Sequence, residues 1–256
     1  MRRKLIAGNW KMNLGYKDSE KLAKEIEQKL EKNILEKIDV LICPSYVSLG
    51  IVNKTIKETD IKLGAQNLFY ENDGAFTGEV SASMLKSVGC EYVIVGHSER
   101  RNYMHETNSI INKKLKQALE FELKPILCVG ESLIEREDEI YEGVIEEQLK
   151  DCLKEISEDE FGRVVIAYEP VWAIGTGLNA TPKQASDMHE FIGKIIRKLY
   201  SEKSAKELLI LYGGSVNEKN SKEMLSACGV AGALLGGASL KANDFTSIAK
   251  VAAEIK

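Results

Sequence analysis

The chain has 256 residues, 44% of them hydrophobic and 29% charged, with a net charge of -4. That length buries a large core, and the slightly acidic balance carries no polyanion-binding footprint, so nucleic acid is excluded as the main partner. Cys43, Cys90, Cys128, Cys152 and Cys228 lack C-x-x-C spacing, and the three histidines form no H-x-x-x-H pair, so neither a disulfide framework nor a metal site is expected.

The basic start of the chain is followed by an apolar run of only three residues, too short for a signal peptide. No run approaches the length that spans a bilayer, so no membrane partner is expected. The expectation is a cytoplasmic protein with free thiols.

Short apolar runs recur at 5–7, 40–43, 63–65, 92–95, 126–129, 164–168, 208–212 and 233–235. Segments of helical period lie between most of them. Leu22, Ile26 and Leu30 share one face, as do Ile111, Leu115 and Leu119, and 182–199, 217–225 and 244–255 behave alike. Asp18, Thr181 and Asn243 read as N-caps. This alternation predicts βαβ units and a parallel sheet. Eight strands in about 250 residues fit a (β/α)8 TIM barrel with an outer ring of helices. An open doubly wound sheet is disfavoured, because no G-x-G-x-x-G follows the first strand. No linker divides the chain, so residues 1–256 read as one domain.

Barrel chemistry sits where strands end, so the residues just after each run matter most. Asn9 and Lys11 follow the first run, two residues apart, which places them on one side of a strand. Lys11 then reaches an anion at the barrel mouth, or is simply solvated. A long loop over 66–80 follows the third run, with aromatic residues and a Gly-Ala-Phe-Thr-Gly tip. It reads as a docking loop for a second subunit, or as one folded back on its own barrel. His97 stands at the end of the fourth run, and the polar stretch after it opens a helical turn whose amides favour a neutral ring. Cys128, ending the fifth run, has no activating neighbour and reads as packing.

The sixth run ends in Glu169-Pro170, and a residue before proline is pushed toward extended geometry. An apolar stretch over 171–174, closed by Gly175-Thr176-Gly177, comes next. It reads as a water-excluding lid, with a hydrophobic surface patch as the plain alternative. Gly213-Gly214-Ser215 and Gly236-Gly237 come after the last two runs, where barrels commonly build a phosphate site. A carboxylate, an imidazole, a lysine, two glycine loops and no cofactor motif suit proton transfer on a small phosphorylated carbonyl compound.

Six stretches carry a resemblance that runs the length of the chain. They are Gly8-Asn9-Trp10-Lys11, Gly74 to Glu79, Gly96-His97-Ser98-Glu99-Arg100-Arg101, Ala167 to Gly177, Tyr212 to Val216 and Gly236 to Leu240. Together they resemble the triosephosphate isomerases, themselves the reference case for a carboxylate–imidazole pair beneath a closing loop. The resemblance implies cofactor-free interconversion of dihydroxyacetone phosphate and glyceraldehyde 3-phosphate, in glycolysis and gluconeogenesis, by a homodimer. It implies Glu169 as base, His97 as electrophile, and Asn9 and Lys11 as binding and polarising groups. Gly175, Ser215, Gly236 and Gly237 would give amides to the phosphate. Glu99 would buttress Lys11, Ser98 would support the site, and Thr77 would reach into the neighbouring subunit. Departures from the family pattern fall at Leu178, at Ser81-Ala82-Ser83 and at Cys43-Pro44-Ser45. The rival is a non-catalytic barrel that only binds a phosphorylated metabolite; it predicts the loss of Lys11, His97 or Glu169, and all three are present.

Overall fold

All five residues from Leu5 to Asn9 are buried, although successive side chains of a strand point to opposite faces. Such a strand needs a core on each side of it. The structure, a computed structural model describing residues 3–174 and 179–255, supplies both.

The strands are β1 (Leu5–Asn9), β2 (Asp39–Cys43), β3 (Lys62–Ala65), β4 (Tyr92–Val95), β5 (Lys124–Val129), β6 (Val165–Tyr168), β7 (Ile210–Tyr212) and β8 (Gly232–Leu235). Each pairs in parallel with the next, and β8 returns to β1, closing a barrel. At the closing seam Leu5 lies opposite both Asp39 and Gly232. Gly232 has φ 149, and a Cβ there would fall 1.9 Å from the Leu5 carbonyl oxygen, so only glycine lets these strands meet.

The outer layer begins with α1 (Tyr16–Lys29), α2 (Lys32–Leu35), α3 (Leu49–Ile56), α4 (Ala82–Ser87), α5 (Ser98–Tyr103) and α6 (Asn108–Glu120). It continues with α7 (Leu133–Glu137), α8 (Tyr141–Cys152), α9 (Glu158–Phe161), α10 (Pro182–Leu199), α11 (Glu202–Glu207), α12 (Ser221–Leu225) and α13 (Ala242–Glu254). The strand residues split by parity. Leu5, Ala7, Leu41, Ile94, Ile126 and Leu211 fill the barrel. Ile6, Val40, Ile42, Val93, Val95 and Ile166 face outward onto helices. Cys128 belongs to the inner layer, fully buried, and burial pushes its thiol well above the ordinary range.

Thr181 caps α10 as expected, in a reciprocal box with Gln184 and with Pro182 at the first helical position. Asp18 and Asn243 do not cap. Gly15 precedes α1 and Lys241 precedes α13, which puts both residues inside the first turn. The helix expected over 217–225 begins only at Ser221, because the Asn217 carboxamide accepts from the backbone of Lys219 and Asn220. That bonding holds a turn in place of helix. At the departure around Ser81, the hydroxyl caps α4, and Ser81 and Ser83 both hydrogen-bond Asp73. The long loop is thereby hooked to the helix after it. Among the described residues no helix is long and apolar enough to cross a membrane.

Candidate active site

Strand ends bring the chemistry together. β6 stops at Tyr168, and the Glu169 N–H then donates to the Val129 carbonyl of β5 at 2.8 Å. Glu169 is only 2% exposed. Its Oε2 accepts the Ser98 N–H at 2.9 Å, and its Oε1 lies 3.0 Å from His97 Nε2. Burial alone opposes a carboxylate, but His97 and the Ser98 amide outweigh it and hold the Glu169 pKa below its ordinary value. Gly213 crosses directly behind this side chain, where a Cβ would fall 2.8 Å from Glu169 Cγ.

His97 ends the β4 turn and caps α5. Its Nδ1 accepts the Glu99 N–H at 3.2 Å, which assigns the ring proton to Nε2, facing Glu169. Burial works to lower the imidazole pKa, and the Glu169 carboxylate more than offsets it, so the resting value is raised. The helical turn expected after His97 is present as α5, with its amide directed at the ring.

Lys11 reaches the mouth by an unexpected route. β1 ends at Asn9, and Lys11 has φ 52, the left-handed region that non-glycine residues seldom occupy. Strand alternation therefore does not explain its approach. Three hydrogen bonds hold the turn: the Lys11 N–H to Asn9 Oδ1 at 3.0 Å, and Gln66 Nε2 to both the Lys11 and the Cys43 carbonyls at 2.9 Å. The ammonium meets Glu99 Oε1 at 2.6 Å.

These groups border a cavity of about 280 Å³ lined by Asn9, Lys11, His97, Glu169, Ile174, Gly213, Gly214, Ser215, Leu234, Gly236 and Gly237. All of these except Ile174 come from the barrel strands or the turns directly after them. Gly237 opens a short 3-10 turn, Gly237–Leu240, and a Cβ on it would meet nothing. Ser98 and Glu99 touch the catalytic candidates without lining the cavity. Thr77 lies elsewhere, exposed at the loop tip. Gly175 and Leu178 fall outside the described residues.

Sequence reading misses three supports. Gln66 holds the Lys11 turn. Leu234 joins the expected lid residue Ile174 as an apolar wall of the cavity. Glu131 is fully buried and accepts from the Tyr168 hydroxyl and the Trp172 indole, both at 2.9 Å, with Arg136 at 3.3 Å. It pins the 3-10 turn Val171–Ala173 that begins the apolar stretch. A single Gln or Glu has no pattern to announce such a role.

The sequence model of the triosephosphate isomerase family matches residues 4–252. A triosephosphate isomerase from Chloroherpeton thalassium is 50% identical over 252 residues, covering 98% of this chain and 100% of its own. One from Dictyoglomus turgidum is 50% identical over 250 residues, covering 98% and 100%. One from Clostridium botulinum strain ATCC 19397 is 48% identical over 248 residues, covering 97% and 99%. The chain belongs to the triosephosphate isomerase family.

Proposed function

We infer that the chain interconverts dihydroxyacetone phosphate and D-glyceraldehyde 3-phosphate without a cofactor, the isomerisation shared by glycolysis and gluconeogenesis. The observation that carries this reading is the convergence of Glu169, His97 and Lys11 on one small cavity backed by two glycine turns. The cavity volume suits a three-carbon phosphate.

Glu169 takes the proton from the carbon beside the carbonyl, and the electron pair moves to the carbonyl oxygen as an enediolate. The His97 Nε2–H and the Lys11 ammonium stabilise that oxygen. Glu169 then returns a proton to the neighbouring carbon. The proton on that carbon's hydroxyl passes to the former carbonyl oxygen, so that the hydroxyl becomes the new carbonyl and the enediolate charge is discharged. For this the carboxylate turns from Ser98 and His97 toward substrate. Once it does, the carboxylate that raises the imidazole pKa most has left, and only Glu99 remains to raise it. Burial, the Lys11 charge and the Glu99 amide at Nδ1 then favour a neutral ring. A neutral ring donates one hydrogen bond and keeps its proton. Asn9 orients Lys11, and the backbone around Ser215, Gly236 and Gly237 receives the phosphate. Gly175 belongs to the same role, with the stretch from Val171 acting as the lid.

The active form is a homodimer in which Thr77 reaches the neighbouring subunit. Two features support this. Phe69 and Phe76 pack with ring centroids 4.8 Å apart and Gln117 bonds Asn72, so the 67–80 loop is ordered while its tip, with Phe76 42% exposed, projects. Met12, Val47, Phe76 and Tyr103 also stand exposed on the segments after β1, β2, β3 and β4. Those strands are neighbours in the barrel, so these apolar residues gather on one side of the mouth. The five free cysteines support a reducing, cytoplasmic setting.

A coupled assay that tracks each triose phosphate into the other tests the reading. Turnover in both directions is expected. A folded chain that binds the trioses and converts neither would establish the non-catalytic alternative.

A further inference from the structure

We propose that Gln148 is a positioning residue for Glu169, acting through the main chain of Gly130; the proposal rests on reading Glu169 as the base. Beyond its last strand residue, β5 continues alongside the end of β6. Val129 lies opposite Tyr168 and accepts the Glu169 N–H, and two residues later the Glu131 carbonyl accepts the Val171 N–H at 3.1 Å. Gly130 sits between these two straps, with its own N–H and carbonyl turned away from β6. Backbone groups in such a place need partners.

A single side chain supplies both. The Gly130 N–H donates to Gln148 Oε1 at 3.0 Å, and Gln148 Nε2 donates to the Gly130 carbonyl at 2.9 Å. A carboxamide carries one donor edge and one acceptor edge in one plane, so it can satisfy the N–H and the carbonyl on either side of one residue, as a neighbouring strand does. Two bonds fix its rotation as well as its distance. The side chain is launched from α8, which is seated by buried Ile145, Leu149 and Cys152. Its stem is therefore anchored.

The opposite side of Gly130 is in contact with Glu169. A Cβ on Gly130 would fall 1.8 Å from the Glu169 carbonyl oxygen and 3.2 Å from its Cβ. No space separates the two chain segments, so a shift or roll of the Gly130 peptide passes directly to Glu169. The Glu169 carboxylate works at hydrogen-bond range, 2.9 Å from the Ser98 amide and 3.0 Å from His97. A small displacement at Gly130 is large on that scale. Gln148, Gly130 and Glu169 also border one side cavity of about 360 Å³, open space into which the Gly130 peptide can relax if the amide is lost.

Gln148→Met keeps the length of the side chain and removes both bonds. Its kcat should fall roughly 10–100-fold, the cost of misplacing a reacting group from a distance. Its KM, and its inhibition by inorganic phosphate, should stay within about twofold of the parent, because the phosphate turns are untouched. Gln148→Glu keeps only the acceptor for the Gly130 N–H. It should show the same split at smaller size, and it decides the matter if the methionine variant does not fold. A kcat within about twofold of the parent, or a KM that rises as far as kcat falls, overturns the proposal. Glu169→Gln is assayed alongside. An active parent, an inactive Glu169→Gln and a fully active Gln148→Met defeat the positioning role alone. A fully active Glu169→Gln defeats the reading of the base.

Discussion

His97 Nε2 and Glu169 Oε1 face each other at 3.0 Å across the barrel mouth, joining the turn after β4 to the end of β6. The direction of that hydrogen bond is set by the other side of the ring, where the Glu99 amide occupies Nδ1. Both carboxylate oxygens are thus engaged by N–H groups, one from His97 and one from the Ser98 backbone. The resting site holds its base ionised and parked. Substrate must displace it, and in doing so frees the imidazole proton for the oxygen that gains charge.

His97→Gln should therefore lower kcat much more than it raises KM. The imidazole acts on charge that develops in the transition state, and losing one such donor costs about 10²–10³-fold. Steady-state kinetics in both directions check this. A rise confined to KM would make His97 a binding residue.

Lys11→Met should weaken binding of the anionic substrate and also lower kcat, since it removes a cation, held by Glu99 at 2.6 Å, that acts on both the bound anion and the developing enediolate. Raising ionic strength should not restore the loss, because salt screens charge and does not replace it. Titration with inorganic phosphate as inhibitor measures the change. An unchanged inhibition constant contradicts the role.

His189 on α10 gives a pH dependence of stability. It is 2% exposed, its Nδ1 lies 3.0 Å from the Gly229 carbonyl, and its Nε2 has no hydrogen-bond partner among the described residues. Burial lowers its pKa from 6.5 to about 4. The folded value lies below the unfolded one, so between them the unfolded chain binds more protons. Its contribution is intact above the unfolded value and declines as pH falls toward the folded one, by up to about 1.4 kcal/mol per pH unit. Urea unfolding across that window should show a shallower slope for His189→Gln. Equal slopes would refute it.

Shortening the loop between Asn72 and Gly78 should give a monomer of poor activity, because the tip carrying Phe76 and Thr77 is then lost to the neighbour. Sedimentation velocity and the coupled assay on one preparation decide it. An intact, fully active dimer contradicts the docking role.

The sequence announces what is local. Short apolar runs mark all eight strands, because a strand buried on both faces has to be largely apolar. Glu169 before Pro170, His97 before a polar turn, and the two glycine pairs are legible because each lies at a strand end. Supports that reach across the barrel are not. Gln66 meets Lys11 from 55 residues away, and Gln148 meets Gly130 from 18. Such pairs exist only once the barrel closes and α8 packs beside β5. The Lys11 backbone escapes sequence reading for a related reason. Alternation assumes the strand continues, and its end at Asn9 with a left-handed residue two positions later is fixed by Asn9 and Gln66, which no local pattern encodes.

Proton transfer by Glu169 is the central claim, and isomerisation in deuterium oxide tests it most directly. Dihydroxyacetone phosphate is converted by the parent chain, and the product is read by NMR for deuterium on the carbon that receives the proton. A substantial deuterated fraction is expected, since a carboxylic acid facing the cavity exchanges with solvent, together with a loss of turnover of about 10²–10⁴-fold or more in Glu169→Gln. Product retaining its original hydrogen throughout, formed equally fast by the glutamine variant, would contradict it.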